Sequence, residues 1–347
     1  MLKRGVLALQ AVTPAALVER VPGVLIGEAR KLIAQIHRGE AITATGAVRR
    51  TAADAVRAAG HVPELAIETI AESKVDPFVK YALSSAGARF ETVRIPLANP
   101  DRFSVCVSSQ VGCALACAFC ATGRLGLERN LLAWEIVEQV RVVRARLSRG
   151  RVHGVVFQGM GEPLANLEQV LAAIAVMTEP CALGIDARAI TVCTAGLPSG
   201  IRRLAAEAPN VRLGISISSA IAAHRKRVMP IADRHDLEDV LAAAADHVRI
   251  TNLSPMWAVT LLAGVNDSDD DARALAARSL AFAEATGRRP RISLLDYNAI
   301  GLGDPFTRSP RLAAFRDVLG SAGLATHRRY SGGSDVAAAC GQLAGSV

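Results

Sequence analysis

Aromatic residues make up only 4% of this 347-residue chain. A core of stacked rings is therefore excluded, and Ala, Val, Leu and Ile must fill the interior. Long apolar runs are also missing. Stretches such as Val170 to Met177 stop well short of the roughly 18 residues that a membrane-spanning helix needs. The seven cysteines are an odd number, which argues against a secreted disulfide scaffold. A signal peptide is not expected either. Lys3 and Arg4 precede a short apolar run, but Gln10 and Pro14 interrupt it, and no small-x-small cleavage site follows before Glu19 and Arg20. These absences describe a cytoplasmic protein with no membrane partner. Acidic residues form one compact stretch, Asp267 to Asp271, in a chain of net charge +8. Basic groups occur as Arg49-Arg50, Arg202-Arg203, Arg225-Lys226-Arg227, Arg288-Arg289 and Arg328-Arg329. Each alone reads as a solvated helix end, and together they favour a polyanionic partner.

The chain holds no internal repeat, and its length suits one barrel-sized domain with a smaller one appended. From Ser104 onward, short β-branched runs alternate with amphipathic helices. Strands are expected at 104–109, 153–158, 189–194, 211–218, 256–262 and 291–297. Helices are expected at 132–149, 166–177, 201–208, 237–248 and 269–286. Six β-then-α units imply a parallel sheet with helices outside, and six fall short of the eight that close a full barrel. The expected fold is therefore a partial (β/α)6 barrel over residues 99–310. Residues 1–98 lack the rhythm and read as a small accessory domain, with helices at 28–37 and 51–59 and strands at 75–81 and 90–95. Residues 311–347 form an extension with a helix at 311–322 and a strand at 325–330.

Chemistry concentrates in Cys113-x3-Cys117-x2-Cys120, three thiols on a short loop just past a strand. Zinc would want a fourth ligand, which His153 or Cys106 could supply, but zinc knuckles come as pairs and no second Cys-x2-Cys exists here. Iron–sulfur cubes usually take four cysteines. Three leave one iron open to a ligand such as S-adenosylmethionine (SAM), whose one-electron reduction yields a 5′-deoxyadenosyl radical. Phe119, just before the last cysteine, matches the radical SAM form of the motif. One βα unit later, Gly159-Met160-Gly161-Glu162-Pro163 closes a strand, where glycines admit a ligand to the backbone and Glu162 offers a carboxylate to an ammonium.

Beyond these, Cys106-Val-Ser-Ser-Gln-Val-Gly-Cys113, Cys120-Ala-Thr-Gly, Arg129-Asn130-Leu131, Gly159-Met-Gly-Glu-Pro-Leu164 and Ala339-Cys340-Gly-Gln-Leu-Ala-Gly345 resemble the RlmN/Cfr family of radical SAM 23S rRNA adenine methyltransferases. The resemblance runs from about Glu91 to Gly345. It implies a 4Fe-4S cluster on Cys113, Cys117 and Cys120, two SAM molecules per turnover, an electron donor such as flavodoxin, and RNA as substrate. It also implies that Cys340 carries a methyl group, that Cys106 closes a disulfide with Cys340 to free the product, and that Glu91 accepts a proton. Gly161, Glu162, Ser216 and Asn298 match SAM-contacting positions, as does Cys193, which stands where the family commonly has serine. The implied product is adenine 2503 of 23S rRNA methylated at carbon 2, with carbon 8 as the alternative. The chain departs from the family at Ser218, which replaces a histidine, and in the scarcity of aromatics between residues 24 and 60. Both departures leave room for another RNA or a small-molecule substrate. A zinc-bearing, non-catalytic RNA-binding protein is the reading from a different class.

Overall fold

The computed structural model describes residues 6–301 and 303–344. Lys3, Arg4 and Gly345, used in the sequence reading, lie outside the described residues. After a two-residue strand, Leu7–Ala8, that pairs in parallel with Gly60–His61, the chain forms three helices, α1 (Pro14–Arg20), α2 (Ile26–Arg38) and α3 (Arg50–Ala59). Helix α2 buries Ala29, Leu32, Ile33 and Ile36, the 3-4 spacing that lays one stripe against a core. It ends on Gly39 in the left-handed region at φ 74°. Helix α1 begins with a Thr13 cap and Pro14 at its first position. That start signal is present in the sequence, and the expectations above contain no helix there.

Strands β1 (Ala66–Glu72), β2 (Val79–Ser85) and β3 (Ala88–Pro96) follow as an antiparallel meander. The strand expected at 75–81 begins later, at Val79, because Ser73 to Phe78 closes a turn with Phe78 N–H donating to the Asp76 carboxylate at 3.1 Å. Strand β3 then pairs antiparallel with β4 (Arg102–Val107), placing Val93 opposite Cys106. A short hairpin, β5 (Gln110–Gly112) and β6 (Leu127–Asn130), frames the cysteine loop.

The repeating part contains α4 (Ala133–Ala145), β7 (Arg151–Phe157), α5 (Leu167–Thr178), β8 (Ile190–Thr194), α6 (Pro198–Glu207) and β9 (Arg212–Ser216). It continues with α7 (Ala222–Val228), α8 (Leu237–Thr251), β10 (Met256–Leu261), α9 (Asp269–Thr286) and β11 (Arg291–Asp296), then α10 (Leu312–Ser321) and β12 (Thr326–Arg329). The sheet order is β12-β11-β10-β9-β8-β7-β4-β3-β2-β1, ten strands in all. From β4 to β12 every neighbouring pair is parallel. All six expected unit strands are present, and the tail strand β12 joins the same parallel run as a seventh. The architecture is the expected partial barrel, with its interior filled by branched aliphatics. Trp257 on β10 is fully buried and meets Phe282 of α9 edge-on at 5.3 Å between centroids.

Two buried histidines make this packing sensitive to acid. Burial, helped by the charges of Arg141 and Arg144, holds His37 down at about 3, and burial alone holds His247 at about 4. An unfolded histidine titrates near 6.5, so below that pH the unfolded chain binds more protons than the folded one. Stability is therefore full above about pH 6.5 and falls as pH drops toward 4, by about 1.4 kcal/mol per pH unit for each histidine. Burial raises Glu162 to about 7 and Glu138 to about 6, which favours the fold as pH falls, so the test is made one histidine at a time. The stability lost between pH 7.5 and pH 5 should be about 2 kcal/mol smaller in His247→Gln than in the parent, and an identical loss in both would contradict this.

Candidate active site

The parallel strands leave their carboxyl ends on one side of the sheet, where α/β folds bind ligands. A cavity opens there, and six of the seven cysteines, all but Cys181, line it. Cys113, Cys117 and Cys120 form one wall. Their loop is held by the hairpin, with Cys113 N–H donating to the Gly126 carbonyl at 2.8 Å. Gly112 permits this approach. It stands at φ +74°, and a Cβ there would lie 1.9 Å from the Gly126 oxygen. Gly123 likewise lets the loop fold onto Cys117, whose backbone would be 2.9 Å from an added Cβ.

The donor set fits a cluster better than one ion. A single zinc needs four ligands within about 2.3 Å of one point, and no group of three or more His, Cys, Asp or Glu among the described residues forms such a cage. Three soft thiols on one loop, each facing the same cavity, suit the corners of a larger iron–sulfur group. Burial pushes Cys113 up to about 11 and also raises Cys117 and Cys120. A bound iron, which takes the thiolate form, would offset that cost.

Beside this wall, the turn after β7 brings Gly161 and Glu162 to the cavity. Gly161 is at φ +97°, and a Cβ would lie 2.5 Å from the Gln110 side chain. The Glu162 carboxylate, 3% exposed, accepts Leu164 N–H at 3.0 Å and Ala195 N–H at 2.8 Å. Burial nevertheless lifts it to about 7, against the pull of those bonds. Such a carboxylate ionises readily when an ammonium docks beside it. Ser216 ends β9 on the cavity wall. Cys193 on β8 also faces in, beside Gly214, where an added Cβ would come within 2.8 Å of its sulfur.

The C-terminal segment lines the cavity beside the cysteine loop, with Ala121 N–H donating to the Gly341 carbonyl at 2.7 Å. Cys340 receives the Gln158 side-chain N–H at 3.1 Å, and the Cys193 thiol reaches the same amide's oxygen at 3.7 Å. Cys106 is 8% exposed and lines the same space. Burial pushes Cys106 and Cys193 up to about 12 and raises Cys340 as well. The Arg329 guanidinium pulls all three back. Its Nη1 is buried without a hydrogen-bond partner, so its charge is available to a thiolate.

The structure thus gathers Cys106, Cys113, Cys117, Cys120, Gly161, Glu162, Cys193, Ser216 and Cys340 around one cavity. Asn298 and Glu91 stand apart from its lining. Asn298 donates to the Cys340 carbonyl and the Ser331 hydroxyl, each at 3.2 Å. Glu91 is fully buried, with one oxygen 2.9 Å from the Lys80 ammonium and the other accepting Ala344 N–H at 2.9 Å. Cys181 lies apart from the cavity, packed against the hydrophobic core with its thiol donating to Glu179 at 3.4 Å.

Sequence reasoning missed three contributors. Gln158 directly precedes the glycine turn, and nothing in the sequence marks its bridging place. Arg329 reads in sequence, with Arg328, as surface charge. Strand alternation separates the two, with Arg328 paired to Asp296 at 2.7 Å and Arg329 facing the thiols. Arg225 corrects the solvated reading of its basic run. It is 1% exposed and donates to the carbonyls of Ser216 at 2.8 Å and Ala195 at 2.7 Å, tying together the two strand ends beneath the cavity.

The Radical SAM superfamily profile matches residues 107–276. A Sorangium cellulosum (strain So ce56) protein described as "Probable RNA methyltransferase sce3898" is 55% identical, covering 93% of this chain and 88% of its own. The "Dual-specificity RNA methyltransferase RlmN" of Desulfotalea psychrophila (strain LSv54 / DSM 12343) is 40% identical over 80% of this chain and 77% of its own. The crystal structure of a radical SAM methyltransferase from Sphaerobacter thermophilus superposes with a TM-score of 0.86 at 32% identity, covering 98% of this chain and 100% of that one.

Proposed function

Because this chain belongs to the RlmN/Cfr family of radical SAM RNA methyltransferases, we propose that it methylates an adenine ring carbon of 23S rRNA, carbon 2 of adenine 2503, with Cys340 carrying the methyl group. The observation that supports this most is the meeting of Cys340, Cys106 and the cysteine trio in one cavity, although they come from distant parts of the chain. Family membership implies a 4Fe-4S cluster and SAM. Cys113, Cys117 and Cys120 would hold the cluster, with Gly161, Glu162, Ser216 and Asn298 about the SAM. When bound, the cluster supplies the electron that splits the SAM sulfonium into methionine and an adenosyl radical.

The chain's own residues do the rest. Carbon 2 of adenine is not a nucleophile, so direct methyl transfer to it is blocked. Cys340 takes the methyl carbon as a thioether, assisted by the Arg329 charge that favours its thiolate. That carbon gives up a hydrogen atom, for which the adenosyl radical would be the acceptor, and bonds to ring carbon 2. Cys106, having lost its thiol proton, then attacks the Cys340 sulfur, forming a disulfide as the sulfur–carbon bond breaks. Ring carbon 2 loses its proton, the freed carbon takes one up to become the methyl group, and the one surplus electron would return to the cluster. The narrow, mainly apolar surroundings of these thiols limit water during the sequence.

The same reading takes residues 99–310 as the core, 1–98 as the accessory domain and 311–347 as the extension. It also includes two SAM molecules per turnover, a flavodoxin-like reductant and a cytoplasmic setting. No helix among the described residues is long and apolar enough to cross a membrane. Carbon 8 methylation would use the same cysteines. Mass mapping of 23S rRNA from cells with and without the gene tests the proposal. The expected result is loss of one methyl group from adenine 2503, at carbon 2 by fragment analysis. Unchanged 23S rRNA would overturn it.

A further inference from the structure

The resemblance gives Glu91 the part of proton acceptor, and its surroundings point elsewhere. Glu91 shares a face of β3 with Val93 and Ile95, which line the cavity. Yet Glu91 itself is fully buried and outside that lining, with Ala344 against its carboxylate. One carboxylate oxygen is ion-paired with the Lys80 ammonium at 2.9 Å without a hydrogen bond of its own, and the other accepts Ala344 N–H at 2.9 Å. Lys80 is itself 9% exposed.

Ala344 is four residues beyond Cys340. The intervening stretch is held otherwise by uncharged groups. Ser331 accepts Cys340 N–H at 2.7 Å, Ala121 N–H donates to the Gly341 carbonyl at 2.7 Å, and the Gln342 amide donates to the Ala299 carbonyl at 2.8 Å. We infer that Glu91 is a positioning residue: with Lys80 it forms a buried latch that pins the C-terminal segment by the Ala344 amide and so fixes Cys340 over the cavity. A buried carboxylate needs a counter-charge to stay ionised, and Lys80 supplies it on the neighbouring strand β2, whose Lys80 pairs with Val93 of β3. The ionised oxygen then gives the Ala344 N–H a charge-assisted bond.

This inference rests on Cys340 being the methyl carrier, and the test separates the two ideas. The full-length protein would be compared with Glu91→Ala, Glu91→Gln and the double variant Lys80→Met/Glu91→Gln. The double variant keeps an acceptor oxygen for Ala344 without burying any charge, so it guards against a fold lost through an unpaired lysine. Maleimide labelling of Cys340, read by peptide mass under oxygen-free conditions, reports the latch without turnover. Glu91→Ala should speed labelling about tenfold or more, as a local opening released from one anchor would. The double variant should stay within about threefold of the parent and recover most of the RNA methylation that Glu91→Ala loses. A proton acceptor behaves differently, because Gln cannot take its place, and the double variant would then be as inactive as Glu91→Ala while its tail stays protected. That result, or unchanged labelling in Glu91→Ala, overturns the latch. If instead Cys340→Ala still methylates RNA, the methyl-carrier reading falls while the labelling result for the tail stands.

Discussion

Cys340→Ala yields a protein that still cleaves SAM reductively yet transfers no methyl group to RNA. On the proposed reading, cleavage depends on the wall made by Cys113, Cys117 and Cys120 and on the Gly161–Glu162 turn, none of which bonds to the Cys340 sulfur. Methyl transfer depends on a nucleophile that can hold the carbon between two steps, and alanine offers none. The loss should reach at least about a thousandfold, the scale on which removing a covalent nucleophile acts. Counting 5′-deoxyadenosine and methylated adenine in one anaerobic reaction checks both halves. Loss of SAM cleavage along with methylation would contradict the assigned role, since the alanine removes only a sulfur that touches Gln158.

The second large effect concerns release. Cys106→Ala should stop the reaction at a thioether between Cys340 and the RNA, so that product falls below one per enzyme and a protein–RNA band survives denaturing electrophoresis. Cys106 is the resolving thiol implied by the resemblance, and it lines the cavity at the end of β4 with Arg329 lowering its pKa against burial. Removing it leaves the adduct without its partner sulfur. Cys193 shares the Gln158 amide with Cys340. A Cys193→Ser control should neither trap RNA nor slow release, because serine is the usual family residue there. Free product at normal yield from Cys106→Ala would remove Cys106 from the mechanism.

The cysteine trio was legible because its meaning is local. Three thiols within eight positions define a loop whatever surrounds it. The alternating units were legible for a similar reason, since each strand and helix carries its own period, and α9 falls at the expected bounds, 269–286. Strand β1 was not, because an edge strand alternates weakly, with Ile70 left exposed among Glu68, Ala71 and Glu72. The placement of Glu91, Gln158 and Arg329 depends on which strands lie side by side and on how the tail returns to β3. No short window of sequence contains that information. Arg225 shows the same limit in reverse. A run of three cations reads as surface, and only the packed fold shows one of them turned inward to carbonyl groups.

The cavity draws on Phe78 and Val93 near one end of the chain and on Cys340 and Leu343 near the other. Synthesis proceeds from the amino end, and domains fold as they emerge. The loop of Cys113, Cys117 and Cys120 is therefore made well before Ala338 to Gly341 and Leu343, which line the same cavity. A cluster delivered before Ala338 to Leu343 are in place would meet a cavity still unlined on that side.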